Sequence, residues 1–235
     1  MARPVAGVVS DPVAGAVRSP EPVTSPAPAG HDGDLPARGT RLPRSARRAQ
    51  LLGAAREVFV AQGFHSAAMD DIADRAGVSK PVLYQHFPGK LDLYLALLDA
   101  SIEALLAAVR DGLAQTTDNK LRVTATTQAY FDFVSDPGGA FRLVFESDLT
   151  SEPSVRARVE RVLQECAELV SEVIAEDAGL SAEQSHLLAV GLIGSAQVTA
   201  RYWVTTGEAV PKDEAVALVS TLAWRGLSRF PRAGA

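Results

Sequence analysis

The sequence predicts an all-α protein in which a small basic helical domain precedes a larger acidic helical domain. From Ser45 nearly to the end, apolar residues recur at intervals of three and four, the period of one helix face. Glycine, proline and short polar runs interrupt this pattern, and no strand-like alternation competes with it. Residues 38–90 carry nine basic and four acidic side chains, a net charge of +5, whereas residues 91–235 carry twelve and twenty, a net charge of −8. This division favours a polyanion-binding domain joined to a domain with another task.

The overall composition excludes several classes of protein. The 235 residues have a formal charge of −5, and 47% are apolar, as in an ordinary globular protein. The single cysteine, Cys166, excludes an internal disulfide and a C-x-x-C site. The apolar run at the N-terminus is too short for a signal peptide, and the longest apolar region, 187–198, is shorter than the roughly 18 residues of a membrane span. We therefore expect a cytoplasmic protein with no membrane role.

Residues 1–40 differ in composition from the rest of the chain. They hold seven of the fourteen prolines and almost no large apolar side chains. Such a segment cannot bury enough surface to offset the entropy lost on ordering. We predict a disordered tail over 1–40, although a functional arm is also compatible with the composition.

Helical segments follow one another from Ser45, each ending at a recognisable stop. The first presents one apolar face and is expected to end at Gly63. Its apolar face comprises Leu51, Leu52, Ala55, Val58 and Phe59. The later segments are expected at about 68–76, 79–86, 90–112, 120–135, 138–148, 154–177, 181–206 and 212–228.

The stretch IADRAGVSKPVL predicts two short helices that meet at a tight turn around Gly77. Ser79 is expected to cap the second helix through its hydroxyl, and Pro81 falls in the first turn, where no N–H is needed. Two crossed short helices form a helix-turn-helix, and the second has a size suited to the DNA major groove. The residues expected to face inward are Ile72, Ala76, Val78 and Leu83.

Four side chains near the second helix suit DNA phosphates. Lys80 lies beside the positive end of the helix dipole, and Lys90 begins the next helical segment. Tyr84 and His86 offer polar tips to phosphate oxygens. Tyr84 also fits a core aromatic, and His86 also fits a surface imidazole.

Other side chains of the same face suit base edges. Gln85 matches an adenine edge, and Pro81 or Val82 matches a thymine methyl group, although Gln85 also fits a residue with no contact. Asp70 and Asp71 resemble a paired-carboxylate site, but acidic residues in the first turn of a helix are explained by its dipole.

An enzyme is the alternative from another class. Gly89 and Lys90 lack the other residues of a phosphate-binding loop, and Ser195 lies in no G-x-S-x-G motif. The four histidines show no metal-ligand spacing. We therefore expect no catalytic residues, no metal and no cofactor.

The segments RAQLLGAAREVFVAQGF and DDIADRAGVSKPVLYQHF, with the following GK, resemble the N-terminal signature of the TetR family of bacterial transcription regulators over about residues 44–95. The resemblance implies a nine-helix homodimer with a three-helix DNA-binding domain, placed here at 41–89. It also implies a ligand-binding and dimerisation domain, placed at 90–230, and a palindromic operator in double-stranded DNA.

The resemblance also assigns the recognition helix to 79–85. Members of the family often open the first helix of the motif with Thr or Ser, where this chain has Ala67 and Ala68. Ser66 is expected to take over the cap and a phosphate contact. The predicted DNA-binding residues are Ser66, Ser79, Lys80, Pro81, Val82, Tyr84, Gln85, His86 and Lys90.

The second domain resembles a narrower group. TTDNKLR, FDFVSDPGGAFRLVFESD, AVGLIGSAQVTARYW and AWRGLSRFP are similar to actinobacterial TetR-type regulators of fatty-acid synthesis. This resemblance implies a long-chain acyl-CoA effector and allows activation as well as repression. The alternative is a TetR-type repressor that senses a drug or another apolar small molecule.

Two sets of residues in the second domain are candidates for these tasks. Four phenylalanines lie within fifteen residues and suit either an apolar ligand tunnel or a packed core, and nearby arginines suit a phosphate-bearing head group. These ligand-binding candidates are Phe131, Phe133, Phe141, Phe145, Arg142, Arg201 and Arg122.

The last two helical segments carry more apolar surface than one chain can bury, which predicts a homodimer through a four-helix interface. Such a dimer spans two operator half-sites about 34–36 Å apart. The predicted interface residues are Leu188, Leu192, Ile193, Tyr202, Trp203, Leu218, Leu222 and Trp224.

Overall fold

Nine α-helices occur in the part of the chain that the computed structural model describes, which is residues 42–145, 149 and 151–227, and no strand occurs there. The all-α class is therefore confirmed. The predicted tail over 1–40 lies outside the described residues. The helices are α1 Arg44–Ser66, α2 Met69–Arg75, α3 Lys80–His86, α4 Lys90–Ala114, α5 Asn119–Val134, α6 Ala140–Phe145, α7 Pro153–Ala178, α8 Ala182–Thr205 and α9 Lys212–Leu227.

Helices α1 to α3 form the first group, which we call the head. Their buried faces carry the apolar residues at helical spacing, including Leu51 and Phe59 of α1, Ile72 of α2 and Leu83 of α3. Ile72, Ala76 and Leu83 are buried as expected, and Val78 packs against them while partly exposed. Because α2 and α3 are only seven residues long, packing of α2 against α1 and of α3 against α2, rather than intrinsic propensity, stabilises them.

A tight turn sets α3 across α2. Gly77 has φ +65°, a backbone conformation that glycine adopts without steric cost. The N–H groups of Gly77 and Val78 donate to the carbonyls of Asp74 and Ala73, both at 3.0 Å. The Gln50 side-chain amide on α1 donates to the carbonyl of Ala76 at 2.7 Å and fixes the turn to α1. These bonds hold the helix-turn-helix without help from a ligand.

Two details differ from the sequence-based expectation. Helix α1 continues to Ser66, although Gly63 interrupts it with φ 75° and ψ 167°. Helix α6 is short, Ala140–Phe145, whereas a segment over 138–148 was expected. Its start is set by Gly139 at φ +70°, which lies outside the helical region.

Helices α4 to α9 form the second group, which we call the body. Helix α4 packs against α5 and α7, α7 against α8, and α5 against α9. Gly179 ends α7 in the left-handed conformation, and Ser181 with Gln184 forms a capping box that begins α8. These two caps define an antiparallel pair, α7 and α8, at one side of the body.

Tyr94 of α4 links the head to the body. Its ring lies edge-on to the rings of Phe59 and Phe64 of α1, with centroid distances of 5.3 Å to both. Its hydroxyl donates to the buried carbonyl of Leu143 in α6 at 2.9 Å. A movement of α6 is therefore transmitted to the aromatic cluster at the end of α1.

A second link is the turn between α5 and α6. Gly139 lies so close to α1 that a Cβ atom there would be 2.8 Å from Val60 Cγ2, and its φ is +70°. A Cβ on Gly138 would be 3.1 Å from Nη1 of Arg56. Glycine at 138 and 139 therefore allows the turn to approach α1.

We expect Gly139→Ala to lower the free energy of unfolding by about 1–3 kcal/mol, because it combines a positive φ with a clash against Val60. The control is Gly53→Ala in α1, where a Cβ meets nothing within 4 Å. Higher helix propensity should make that variant more stable by about 0.5–1 kcal/mol. Urea unfolding followed by circular dichroism measures both; equal stabilities of the two variants would contradict the close approach.

Candidate nucleic-acid interface and ligand cavity

The outer face of α3 presents the side chains predicted to read DNA. The Tyr84 side chain is 45% exposed, and Pro81 and Gln85 are also exposed. Val82 and His86 are half-buried. The core alternative for Tyr84 is therefore wrong. The predicted contacts of these residues with DNA stay predictions.

Lys80 begins α3 and forms an exposed ion pair with Asp70 of α2, with 2.5 Å between Nζ and Oδ2. The hydrogen bond that the Lys80 ammonium donates to the Asp70 carboxylate raises the pKa of Lys80 above its ordinary value. Asp70 and Asp71 lie in the first turn of α2, as the dipole interpretation expects. Exposed pairs of this kind contribute little to stability, so Lys80 can exchange Asp70 for a phosphate at low cost.

Neither predicted serine cap is formed. Ser79 is the N-cap residue of α3 by its backbone angles, but its side chain makes no capping hydrogen bond. Ser66 is the last residue of α1, and Ala68 is the N-cap of α2, again without a side-chain bond. Because α1 continues to Ser66, that serine lies two residues before Ala68, which is the capping position of α2. Both serine hydroxyls are thus not committed to capping.

Lys90 has an internal role that the sequence did not indicate. Its ammonium donates to the carbonyls of Phe64 at 2.7 Å, Ala67 at 2.8 Å and His65 at 3.1 Å. It also lies 4.6 Å from the centroid of the Phe64 ring. A lysine has three N–H donors, so this arrangement leaves none for a phosphate, in contrast to the predicted contact. Lys90 instead fixes the start of α4 to the end of α1.

The body contains an apolar cavity between α4, α5, α7, α8 and α9, with an empty volume of about 1210 Å³ that includes a part open to solvent. One stripe of α5 runs along it, and α7 runs antiparallel on the opposite side. Aliphatic side chains dominate the lining. The stripe of α5 consists of Asn119, Arg122, Val123, Thr126, Thr127 and Tyr130.

The four phenylalanines predicted to bind ligand do not line this cavity. Phe131 and Phe141 are fully buried, and the Phe131 ring packs against Trp203 at 5.3 Å between centroids. Phe141 and Phe145 pack against each other at the same centroid distance. Phe133 is buried and faces a separate cleft between α1, α4 and α5. The core alternative is therefore the correct one for this cluster.

The three arginines predicted to meet a head group differ in whether they line the cavity. Arg142 and Arg201 are exposed and do not line the cavity, which corrects their assignment. Arg122 does line it, and its side chain is 19% exposed. Its Nε donates to the carbonyls of Leu113 and Thr116, and its Nη1 to the side chains of Asn119 and Asp177. One charged side chain therefore joins α4, α5 and α7 at the cavity rim.

Sequence reasoning also missed Tyr130 and most of the wall supplied by α7. Tyr130 is buried, its hydroxyl has no hydrogen-bond partner among the described residues, and burial raises the pKa of that hydroxyl. Burial likewise raises the pKa of the Cys166 thiol to about 12, which makes it an inert core residue. The apolar face of α7 was visible as a helical repeat, but nothing in the pattern distinguished a cavity wall from a packed core.

Helices α8 and α9 expose a continuous apolar face. Trp203 is not part of it: it is 6% exposed, and its indole N–H donates to the carbonyl of Val210. Ile193 is also buried, and Leu188, Leu192 and Trp224 line the cavity. The prediction that these five residues form an exposed interface is therefore wrong. The exposed face consists of Leu187, Val190, Val198, Tyr202, Leu218 and Leu222.

Within the described ranges, no three His, Cys, Asp or Glu side chains are grouped as a metal site would require. No helix there combines the length and apolar character needed to cross a membrane.

Comparisons with known proteins agree with this architecture. Residues 51–97 match the family model of bacterial regulatory proteins of the tetR family. The HTH-type transcriptional activator FasR of Mycolicibacterium smegmatis is 48% identical over 194 residues, which cover 83% of this chain and 89% of FasR. The HTH-type regulator SrpR of Pseudomonas putida is 45% identical, but over only 26% of this chain.

Solved structures have the same fold. A TetR-like regulator from Rhodococcus sp. RHA1 aligns with a TM-score of 0.63 and 27% identity, covering 80% of this chain and all of that one. FadR of Bacillus subtilis, crystallised with stearoyl-CoA, also aligns with a TM-score of 0.63, at 19% identity over 74% of this chain and 96% of its own.

We expect Lys90→Met and Lys80→Met to separate an internal role from a phosphate contact. Lys90→Met should lower the free energy of unfolding by about 1–3 kcal/mol, because three carbonyls lose a charged donor. It should leave the salt dependence of DNA binding unchanged. Lys80→Met should leave stability nearly unchanged and reduce the slope of log K against log salt by about 0.9 per protomer. A reduced slope in Lys90→Met would restore its predicted phosphate contact.

Proposed function

Because this chain belongs to the TetR family of bacterial regulatory proteins, we propose that it is a dimeric regulator of fatty-acid synthesis genes whose effector is a long-chain acyl-CoA. Its family consists of bacterial regulatory proteins, and its 48% identical relative is a transcriptional activator. The chain is therefore a DNA-binding transcriptional regulator and not an enzyme. The proposal concerns what the regulator senses, how it assembles and which genes it controls.

The observation that carries the proposal is the apolar cavity with a charged rim. Aliphatic side chains of five helices surround the space, and polar side chains gather at the end formed by Asn119, Arg122 and Asp177. A ligand that matches this distribution has a long apolar chain and a polar head. An acyl-CoA has both.

The relatives support the same effector. FadR of Bacillus subtilis, which shares the fold, was crystallised with stearoyl-CoA. The FasR relative is a transcriptional activator, so activation as well as repression is compatible with this chain. Cavity and head are connected by α4, which contributes Val109 and Leu113 to the cavity and Tyr94 to the junction with α1. An effector that shifts α4 would therefore change the position of α3.

A repressor of efflux or detoxification genes that senses a drug-like molecule is the second candidate. The same apolar cavity favours it, because aliphatic walls accept any apolar molecule of suitable shape. The charged rim is the feature that separates the two candidates, since an uncharged drug has no use for it.

The exposed apolar face of α8 and α9 supports assembly as a dimer. Leu187, Val190, Val198 and Tyr202 follow one another at intervals of three, eight and four residues along α8. A Cβ on Gly191 or Gly194 of the same helix would meet nothing within 4 Å, so a second helix can approach closely there. Two copies related by a two-fold axis would bury these faces as a four-helix bundle and present two heads to a palindromic operator.

We expect stearoyl-CoA to change the affinity of the protein for a fatty-acid-synthesis promoter, or for its own upstream DNA, by about 5- to 150-fold. Fluorescence anisotropy with labelled duplex measures this, with free coenzyme A as the control for the head group alone. The acyl-CoA proposal is wrong if stearoyl-CoA leaves both DNA affinities unchanged. A change caused only by an uncharged aromatic drug would favour the second candidate.

We expect Leu222→Glu to produce a monomer in analytical ultracentrifugation and to weaken operator binding by at least tenfold, because the variant buries an unpaired charge in the dimer. Leu222 is 71% exposed in the single chain, so the monomer should stay folded. Leu121→Glu is the matched control, since Leu121 is 53% exposed on α5 and lies outside the face. If Leu222→Glu sediments as the unaltered protein does, the four-helix interface is refuted.

A further inference from the structure

We propose that Arg122 and Lys120 bind the anionic head group of the ligand whose apolar chain fills the cavity, and that Asp177 occupies Arg122 when no ligand is bound. This inference rests on the proposed function only in taking the cavity as the effector site. It assigns an orientation to the ligand and names the residues that select it.

The distribution of charge defines one end of the cavity as its polar end. Arg122 and Asp177 are the only charged side chains in its lining among the described residues. Arg122 lies near the start of α5, and Asp177 lies near the end of the antiparallel α7. Tyr130 lines the opposite end, eleven residues beyond Asn119, which corresponds to about 16 Å along a helix. A chain with one charged end therefore fits in one direction only.

The guanidinium of Arg122 is held in place but not saturated. Nε and Nη1 make the four hydrogen bonds described above, at 2.8–3.2 Å. Nη2 has no hydrogen-bond partner within the described ranges, so two N–H donors are available at the rim. A guanidinium of fixed orientation holds these two Nη2 donors in place for oxygen atoms of a carboxylate or a phosphate. The protein thus holds a preformed anion-binding group where an apolar cavity opens.

A second cation lies just beyond the rim. A polar surface cleft shares Asn119, Asp177 and Trp224 with the cavity and adds Lys120, together with Thr117 and Asp118, whose carboxylate caps the start of α5. Lys120 is exposed and forms no ion pair with any residue that the structure describes. A head group that extends out of the cavity therefore meets Arg122 first and Lys120 next.

The ion pair between Asp177 and Arg122 is the contact at the rim that a bound anion would change. Its carboxylate lies 3.2 Å from Nη1 of Arg122 and is 39% exposed. An anionic head group arriving at Arg122 would be repelled by Asp177 and would compete with it for the same guanidinium. Release of Asp177 would free the end of α7 from α5, because this ion pair joins the two helices.

Binding of three probes to the full-length protein tests the proposal: palmitoyl-CoA, palmitate and the uncharged 1-hexadecanol, each followed by the fluorescence of Trp224 and Trp203. We expect Arg122→Gln to weaken palmitoyl-CoA roughly tenfold, since a hydrogen bond to a charged group is lost. Lys120→Gln should weaken it severalfold, and Asp177→Asn should tighten it severalfold. None of the three variants should alter the affinity for 1-hexadecanol.

Palmitate distinguishes the two anionic head groups. An equal loss for palmitate and palmitoyl-CoA in Arg122→Gln shows that the rim accepts either anion, a carboxylate or a phosphate. A loss confined to palmitoyl-CoA places a phosphate there. Both results support the inference, because both require an anion at Arg122.

Two outcomes would overturn it. If Arg122→Gln weakens 1-hexadecanol as much as palmitoyl-CoA, Arg122 acts only as a structural link between helices. If Lys120→Gln and Asp177→Asn both leave palmitoyl-CoA unchanged, the charged rim does not select the ligand; neither variant removes a buried group, so misfolding does not obscure this result. In either case acyl-CoA can still change DNA binding and the proposed function stands. If palmitoyl-CoA binding depends on these charges but does not change DNA affinity, the inference about the rim holds and the proposed function is refuted.

Discussion

The contact between the Lys90 ammonium and the last carbonyls of α1 is the interaction on which the geometry of the molecule depends. Helix α1 is broken at Gly63, and its final carbonyl groups have no partners within a regular helix. Lys90 supplies the missing partners, because its ammonium donates to the carbonyls of Phe64, His65 and Ala67. As Lys90 is also the first residue of α4, the bond that completes α1 determines where α4 begins.

Helix α4 then connects the two functional regions with one rigid element. Its 25 residues extend about 37 Å, from Lys90 at the head to the cavity wall formed by Val109 and Leu113. Tyr94 adds a lateral connection, since its ring packs on α1 while its hydroxyl binds α6. In the proposed mechanism, displacement of α4 at the cavity would therefore move the end of α1, because packed helices and short hydrogen bonds allow little independent movement. This movement would require no contact between a ligand in the cavity and the head.

The sequence was sufficient for the fold and for the position of the helix-turn-helix, because both depend on local rules. Helical period, Gly77 in the turn and Pro81 in the first turn of α3 are visible within a few residues. The lining of the apolar cavity was mostly not predicted, because it depends on which apolar residues leave space between helices. Phe131 and Tyr130 are neighbours in the sequence and both buried, yet only Tyr130 lines the cavity. Lys90 was likewise predicted to contact phosphate, because the broken end of α1 that it binds is not visible in the sequence.

Helix α8 extends this reasoning from one chain to the proposed dimer. Leu188 and Leu192 line the cavity, and each follows directly after an exposed residue, Leu187 or Gly191. Successive residues of a helix differ by about 100° in direction, so the cavity wall and the exposed face lie on adjacent sides of one helix. Ligand that displaces the wall must therefore shift or rotate the exposed face by a similar amount. In a two-fold assembly the same displacement occurs twice with opposite sense, which changes the separation of the two heads and hence their match to paired half-sites.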